Sequence, residues 1–217
     1  MISVAEALAQ QQAMAGRVER TDRLPAPVRL IAGLDVAYDE ATQRVFAAAV
    51  TMQAESWAVV QRSLCQDVVG FPYVPGLFSF REAPALIRAV AALSPLPDLL
   101  LCDGQGIAHP RRCGLASHVG VMLGLPAIGC AKTPLTGRAE PPGLARGDWA
   151  ALQDAGEIVG AVLRTQAGVK PVYVSIGHRV SLDTARQWVL RAAPRYRLPE
   201  PLRAAHEAAT TALRAAA

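Results

Sequence analysis

No C-x-x-C pair and no Cys–His grouping at zinc-ligand spacing occurs in the 217 residues; Cys65, Cys102, Cys113 and Cys130 stand apart. A structural zinc site is therefore not expected, and the thiols read as reduced core fillers. No apolar stretch reaches the roughly 20 residues of a membrane-spanning helix before a Gly, Pro or charge interrupts it. Met1-Ile2-Ser3-Val4-Ala5-Glu6 lacks a basic segment leading into an apolar one, so no secretory signal is expected and the cytoplasm is the expected location. A phosphate-binding Gly-Lys is also missing: Cys130 and Ala131 separate Gly129 from Lys132, and Gly104 with Gly106 is too short for a dinucleotide fingerprint. No repeat or composition break divides the chain, which predicts one domain over 1–217. Charged residues make up 18% against 52% hydrophobic, a balance that excludes disorder and supplies a full core. The net charge of +4 leans mildly toward an anionic partner.

What is present is three acids in apolar settings. Asp35 ends the run Leu30-Ile31-Ala32-Gly33-Leu34, Asp103 ends Leu99-Leu100-Leu101-Cys102, and Glu82 closes an aromatic- and proline-rich loop from Phe71. An acid at the end of a buried strand costs several kcal/mol in desolvation unless a cation meets it, and a divalent metal is the usual partner for a cluster. Carboxylates gathered from different strands are what metal-assisted phosphoryl chemistry requires. Singly, each acid reads equally well as a helix cap or a solvated loop residue. His109 lies six residues beyond Asp103, followed by Arg111 and Arg112, and Lys132 ends the apolar run 127–131. On spacing alone Lys132 is as much a structural salt bridge as a phosphate contact. Tyr73, held between Pro72 and Pro75, suits a wedge pushed into a base stack, or else a buried tyrosine in a rigid turn. Gly104 and Gly106 offer bare backbone to a flat ligand. His178 and His206 are individually ordinary.

Periodicity predicts a helix over 4–18, then a meander of strands at 29–36, 44–52 and 56–66. A helix over 83–93, with Pro84 in its first turn, leads to a buried strand at 98–102, a helix over 113–124 and a strand at 127–131. That alternation predicts parallel pairing through helical crossovers. Residues 136–150 read as loop, 157–165 and 171–176 as a strand pair, and 181–193 and 201–216 as helices. The expected class is α/β: a mixed sheet in which three antiparallel strands lead into parallel ones, flanked by helices.

These segments resemble the endonuclease V family of deoxyinosine-directed nucleases. The likeness rests on Ile31-Ala32-Gly33-Leu34-Asp35-Val36, on Pro72-Tyr73-Val74-Pro75-Gly76 through Ser79-Phe80-Arg81-Glu82, and on Asp103-Gly104-Gln105-Gly106-Ile107-Ala108-His109-Pro110-Arg111-Arg112. It continues through Gly129-Cys130-Ala131-Lys132, Gly177-His178-Arg179 and Tyr196-Arg197-Leu198-Pro199-Glu200-Pro201. The resemblance implies a ribonuclease-H-like fold and a Mg²⁺-dependent nick, with Mn²⁺ as a substitute, at the second phosphodiester 3′ to a deaminated purine. It implies that Asp35 and Asp103 hold the metal with Glu82, that Tyr73 is the wedge, and that Gly76, Gly104 and Gly106 with Leu135 form the base pocket. Pro75, Phe78, Arg111 and His178 join the expected substrate-binding set, while His109, Lys132 and His206 join the catalytic one. DNA containing deoxyinosine is the expected partner, with inosine in RNA as a further substrate and no membrane; a monomer is expected. A structure-specific nuclease and a non-catalytic nucleic-acid-binding module are the rival readings. Val74, Gln105 and Phe78 stand where the family more often has Ile, His and Leu.

Overall fold

The computed structural model describes residues 2–216. Eight strands form a single sheet in the order β3-β2-β1-β4-β5-β8-β7-β6. β1 (Leu30–Asp39), β2 (Arg44–Gln53) and β3 (Val59–Val68) make an antiparallel meander, as the short connections require. β4 (Leu99–Cys102) and β5 (Ala127–Ala131) run parallel to β1, each reached through a helix, α2 (Ser79–Ala91) and α3 (Leu115–Leu123). β6 (Trp149–Asp154), β7 (Glu157–Leu163) and β8 (Val172–His178) complete the sheet antiparallel to their neighbours. Among the described residues no helix is long and apolar enough to cross a membrane.

The period-2 alternation of the strands assigns the two faces. Ala32, Leu34, Leu100 and Cys102 pack beneath α2 and α3 with Leu86, Ala89 and Val119. Ile31, Leu99, Leu101 and Ile128 face the other way, under α4 (Leu182–Ala192) and the start of α5 (Glu200–Ala215), with Val189 and Leu202. A third, smaller cluster joins Ala7 and Met14 of α1 (Val4–Ala15) to Phe71, Leu77 and Phe80.

Several boundaries depart from expectation, among them the end of β1, which runs on past the predicted 36 to Asp39 against β2. α1 stops at Ala15, where Gly16 caps it, three residues short of the predicted end. The third strand starts at Val59 because the Gln53 and Ala58 backbones pair across a wider turn that holds Trp57 at φ 58°. α2 begins at Ser79, so Glu82 is helical and Pro84 sits beyond the first turn. Its opening is tight, with the Phe80 and Arg81 N–H groups donating to the Leu77 and Phe78 carbonyls. β6 as a whole is not predicted: Trp149 and Ala150 fall in the expected loop and 151–154 in no expected element, and pairing with β7 holds them extended.

Candidate active site

Parallel pairing of β1 with β4 brings two acids together. Leu34 is in register with Cys102, and the Asp103 N–H donates to the Leu34 carbonyl at 3.1 Å. One step further along stand Asp35 and Asp103, side by side on adjacent strands, whose backbones run about 4.8 Å apart. Asp35 is therefore mid-strand, since β1 continues to Asp39 against β2, rather than at a strand end as its sequence setting suggested. Asp103 does follow the last residue of β4, and Glu82 enters from the first turn of α2.

Asp35 and Glu82 both feel their acidic neighbours. Burial, and next the Asp103 carboxylate, holds the Asp35 carboxyl above its usual range. Glu82 is pushed up to about 8, by burial first and then by Asp35. Lys132 follows β5 and ion-pairs with Asp103. Although burial works against its charge, that bond and the acids raise the Lys132 ammonium above its ordinary value. The His206 Nδ1 reaches Asp35 Oδ2 at 2.8 Å from α5. Among the described residues no group of three or more His, Cys, Asp or Glu side chains is placed to hold a metal ion, so Glu82 does not join Asp35 and Asp103 as the expected third ligand. An all-oxygen pair with an open side is instead the manner in which Mg²⁺ is commonly held, by one or two carboxylates plus water and substrate phosphate. A divalent cation held by Asp35 and Asp103 would offset the burial, and next the repulsion from Asp103, that raise Asp35, so the donor set fits such an ion.

A cleft of about 490 Å³ opens beside these acids. Tyr73, Pro75, Gly76, Phe78, Gly104, His109 and Leu135 line it together with Glu82, Asp103 and Lys132. Val74-Pro75-Gly76-Leu77 builds one wall as a turn closed by Leu77 N–H on the Val74 carbonyl at 2.9 Å, with Gly76 at φ 77°. Pro then Gly at the two central positions is what such a type II turn selects. Tyr73 is 70% exposed at the rim, which removes the buried-tyrosine reading, and meets Phe78 edge-on with ring centroids 5.9 Å apart. A larger groove of about 740 Å³ lies between 137–140 and 150–156, away from the three acids.

Of the other predicted site residues, Gly106, His178 and Arg111 stand outside the cleft lining. Gly106 is sealed beneath β8: its N–H donates to Ser175 Oγ at 2.7 Å, and a Cβ would fall 1.9 Å from the Ile176 carbonyl oxygen. Its backbone is thus committed to packing, and does not line the cleft. His178 pairs in register with Ala127, the first residue of β5, whereas Lys132 follows the last; it is at the opposite end of that strand. There its Nδ1 accepts from the Glu19 N–H at 3.2 Å. Arg111 lies behind the cleft wall, donating to the Gly76 carbonyl at 2.6 Å, and Arg112 ties down the β6–β7 hairpin through Asp154 and Glu157. The His109 ring is buried and pushed down to about 4, by burial and then by Arg111; its Nε2 is 3.0 Å from the same Gly76 carbonyl.

Three further residues were not among the expected site residues. Tyr38 donates to Glu82 Oε1 at 3.3 Å, under the Arg81 guanidinium at 5.3 Å from its ring. Strand alternation from Leu34 puts Tyr38 on the face toward α2 and would have flagged it. Gln105 donates to the Thr133 carbonyl at 2.9 Å, bracing the loop after β5. Gln11, fully buried, occupies the core stripe of α1 with Ala7 and Met14, a polar residue at an apolar position.

Comparison with known proteins gives one answer. The family profile described as Endonuclease V matches residues 12–207. An endonuclease V of Roseiflexus sp. (strain RS-1) is 52% identical over 203 residues, 94% of this chain and 90% of its own. The crystal structure of the Streptomyces avermitilis endonuclease V superposes with a TM-score of 0.94 at 47% identity, covering 100% of this chain and 95% of that one. Ciona intestinalis endonuclease V, in complex with a 24mer DNA containing an inosine followed by a ribo-adenosine, reaches a TM-score of 0.84 over 99% of both chains. At 24% identity that last likeness shows the fold alone. With this architecture, ribonuclease-H-like in its mixed sheet and flanking helices, the chain belongs to the endonuclease V family of endonucleases.

Proposed function

We propose that the chain is a divalent-metal-dependent endonuclease that nicks DNA at the second phosphodiester 3′ to deoxyinosine, leaving 3′-hydroxyl and 5′-phosphate ends. The observation that carries the reading is the juxtaposition of a cleft with room for an extruded base, rimmed by exposed Tyr73, with the Asp35–Asp103 pair. Inosine in DNA is the ligand of the Ciona relative, and hypoxanthine is a flat base suited to a cleft walled by Gly76, Gly104 and Leu135.

The working parts follow from their positions. Tyr73 fills the gap left by the extruded base, and extrusion costs least where the base is already mispaired. Asp35 and Asp103 would hold Mg²⁺, or Mn²⁺ in its place, which supplies Lewis-acid stabilisation of charge developing on the phosphate. Lys132 steadies a phosphate oxygen from beside Asp103. His206 fixes the orientation of Asp35 and, with its side chain 65% exposed, presents its free ring edge to solvent and substrate. Glu82 accepts the Tyr38 hydroxyl and completes the acidic cluster from the α2 side. We assign the activity to one cytoplasmic, monomeric domain of DNA repair.

Labelled oligonucleotides carrying inosine or adenine, as DNA and as RNA, test the reading with Mg²⁺ or with chelator. Nicking confined to inosine DNA and abolished by chelator is expected; preferential cutting of inosine RNA would reassign the substrate. Metal-independent or base-indifferent cutting would sink the proposal.

A further inference from the structure

Three side chains, Gln11 and Arg111 from outside the cleft and His109 from its lining, converge on one backbone atom in its wall. The Gly76 carbonyl accepts from Gln11 Nε2 at 2.9 Å, from Arg111 Nη2 at 2.6 Å and from His109 Nε2 at 3.0 Å. The His109 ring can donate there because its other nitrogen, Nδ1, accepts the Arg111 N–H at 3.1 Å. Gln11 ties the set together: its Oε1 accepts from Arg111 Nε, and its Nε2 also donates to the Cys113 carbonyl at 2.7 Å. Two lone pairs usually meet one or two donors, so three donors leave this carbonyl little freedom to turn. Gly76 is also the turn residue that joins Tyr73 to Phe78, and at φ 77° it is otherwise the most easily rotated point of that loop.

We propose that Gln11, on a helix that supplies no group to the cleft, is a positioning residue that sets lesion selectivity by holding the Tyr73–Phe78 loop through the Gly76 carbonyl. The inference rests on the reading of the cleft as the inosine site. Arg111 and His109 act in the same assembly, and Gln11 is its keystone because it alone bonds the carbonyl, the guanidinium and the start of the segment leading into α3. Its loss leaves the acids of β1, α2 and β4 in place, so the chemical step and the selective step should separate.

The test uses the full chain with Gln11→Met, which keeps the volume and removes the amide, beside Met14→Ala, which disturbs the same helix core without touching the network. Single-turnover cleavage of inosine duplex is measured against enzyme concentration, with binding to inosine and to undamaged duplex measured in chelator. Gln11→Met should weaken inosine-duplex binding about tenfold relative to undamaged duplex, a difference of about 1.4 kcal/mol, while the saturating cleavage rate stays within about twofold. Met14→Ala should lower Tm at least as much yet keep the binding ratio. Equal loss of the ratio in both variants makes Gln11 merely structural and overturns the proposal, as does a collapse of the saturating rate in Gln11→Met with the ratio unchanged. If the parent protein itself shows no preference for inosine, it is the functional reading that fails.

Discussion

Gly104 and Gly106 stand two residues apart in one loop, yet the same added methyl group should act on them in opposite ways. At Gly106 the new Cβ would lie 1.9 Å from the Ile176 oxygen, 2.5 Å from its carbonyl carbon and 2.9 Å from Gly177 N, all backbone. β8 has little room to yield, because that Ile176 carbonyl already accepts the Ile107 N–H at 2.8 Å and Ser175 Oγ accepts the Gly106 N–H at 2.7 Å. Overpacking costs about 1–3 kcal/mol and each of the two hydrogen bonds about 1 more, so Gly106→Ala should lose roughly 3–5 kcal/mol. For a chain of this size that is a fall in Tm on the order of 10 °C. At Gly104 the nearest atoms are Leu115 Cβ at 3.3 Å and Cδ2 at 3.4 Å, a side chain that can retreat by a few tenths of an ångström. Gly104→Ala should therefore hold Tm to within about 3 °C of the parent. Because Gly104 lines the cleft, its methyl group narrows the space for the base, and inosine cleavage should fall by about tenfold or more, some 1.4 kcal/mol. Thermal unfolding and single-turnover cleavage of inosine and adenine oligonucleotides, run on both variants, separate the two effects. A Gly106→Ala protein with parental Tm and no base preference would refute the argument, since its backbone would then be reading the base.

Three further outcomes follow from the site and its surroundings. Tyr73→Ala should weaken binding to inosine duplex by the roughly 1–3 kcal/mol of a base–aromatic stack and single strands by less; equal losses would mean the ring does not enter a stack. Asp35→Asn should abolish divalent-dependent nicking while leaving lesion binding in chelator near that of the parent, and sustained nicking would place the metal elsewhere. His118, buried against Phe80 at 4.8 Å and 3.1 Å from Ser79 Oγ, is pushed down to about 4 by burial. Between pH 6.5 and about 4 the unfolded chain binds a proton that the folded chain refuses, so stability is lost as pH falls through that window, on the order of 3 kcal/mol in full. His118→Gln should flatten the acid limb of a Tm–pH curve, and an unchanged limb would show that this ring does not control it.

The legible parts of the molecule were those written as local pattern. The apolar runs at 44–52, 98–102 and 127–131 marked β2, β4 and β5 closely, and the acids, the Pro-flanked tyrosine and the Gly-bearing loop pointed to one site. What escaped depended on partners distant in sequence. Trp149 and Ala150 are extended only because Leu163 and Val162 pair with them. Two glycines of one loop looked alike, and only the approach of β8 distinguishes the packing role of Gly106 from the cleft position of Gly104. His178 followed the family motif, but its place depends on the antiparallel direction of β8, which carries its C-terminal end away from Lys132. Gln11 was masked by the ordinary look of glutamine in an amphipathic helix.

The contact between the start of α5 and β1 bears on when the enzyme comes into being. A Cβ on Gly33 would sit 1.9 Å from the Pro201 carbonyl oxygen, so α5 presses directly on the strand that carries Asp35, and it delivers His206 across a separation of 171 residues. In order of synthesis, Asp35, Glu82 and Asp103 all leave the ribosome long before α5 does. The Asp35–His206 pair can therefore form only once α5 has emerged and docked, so any stretch of chain made before α5 carries the three acids without this partner.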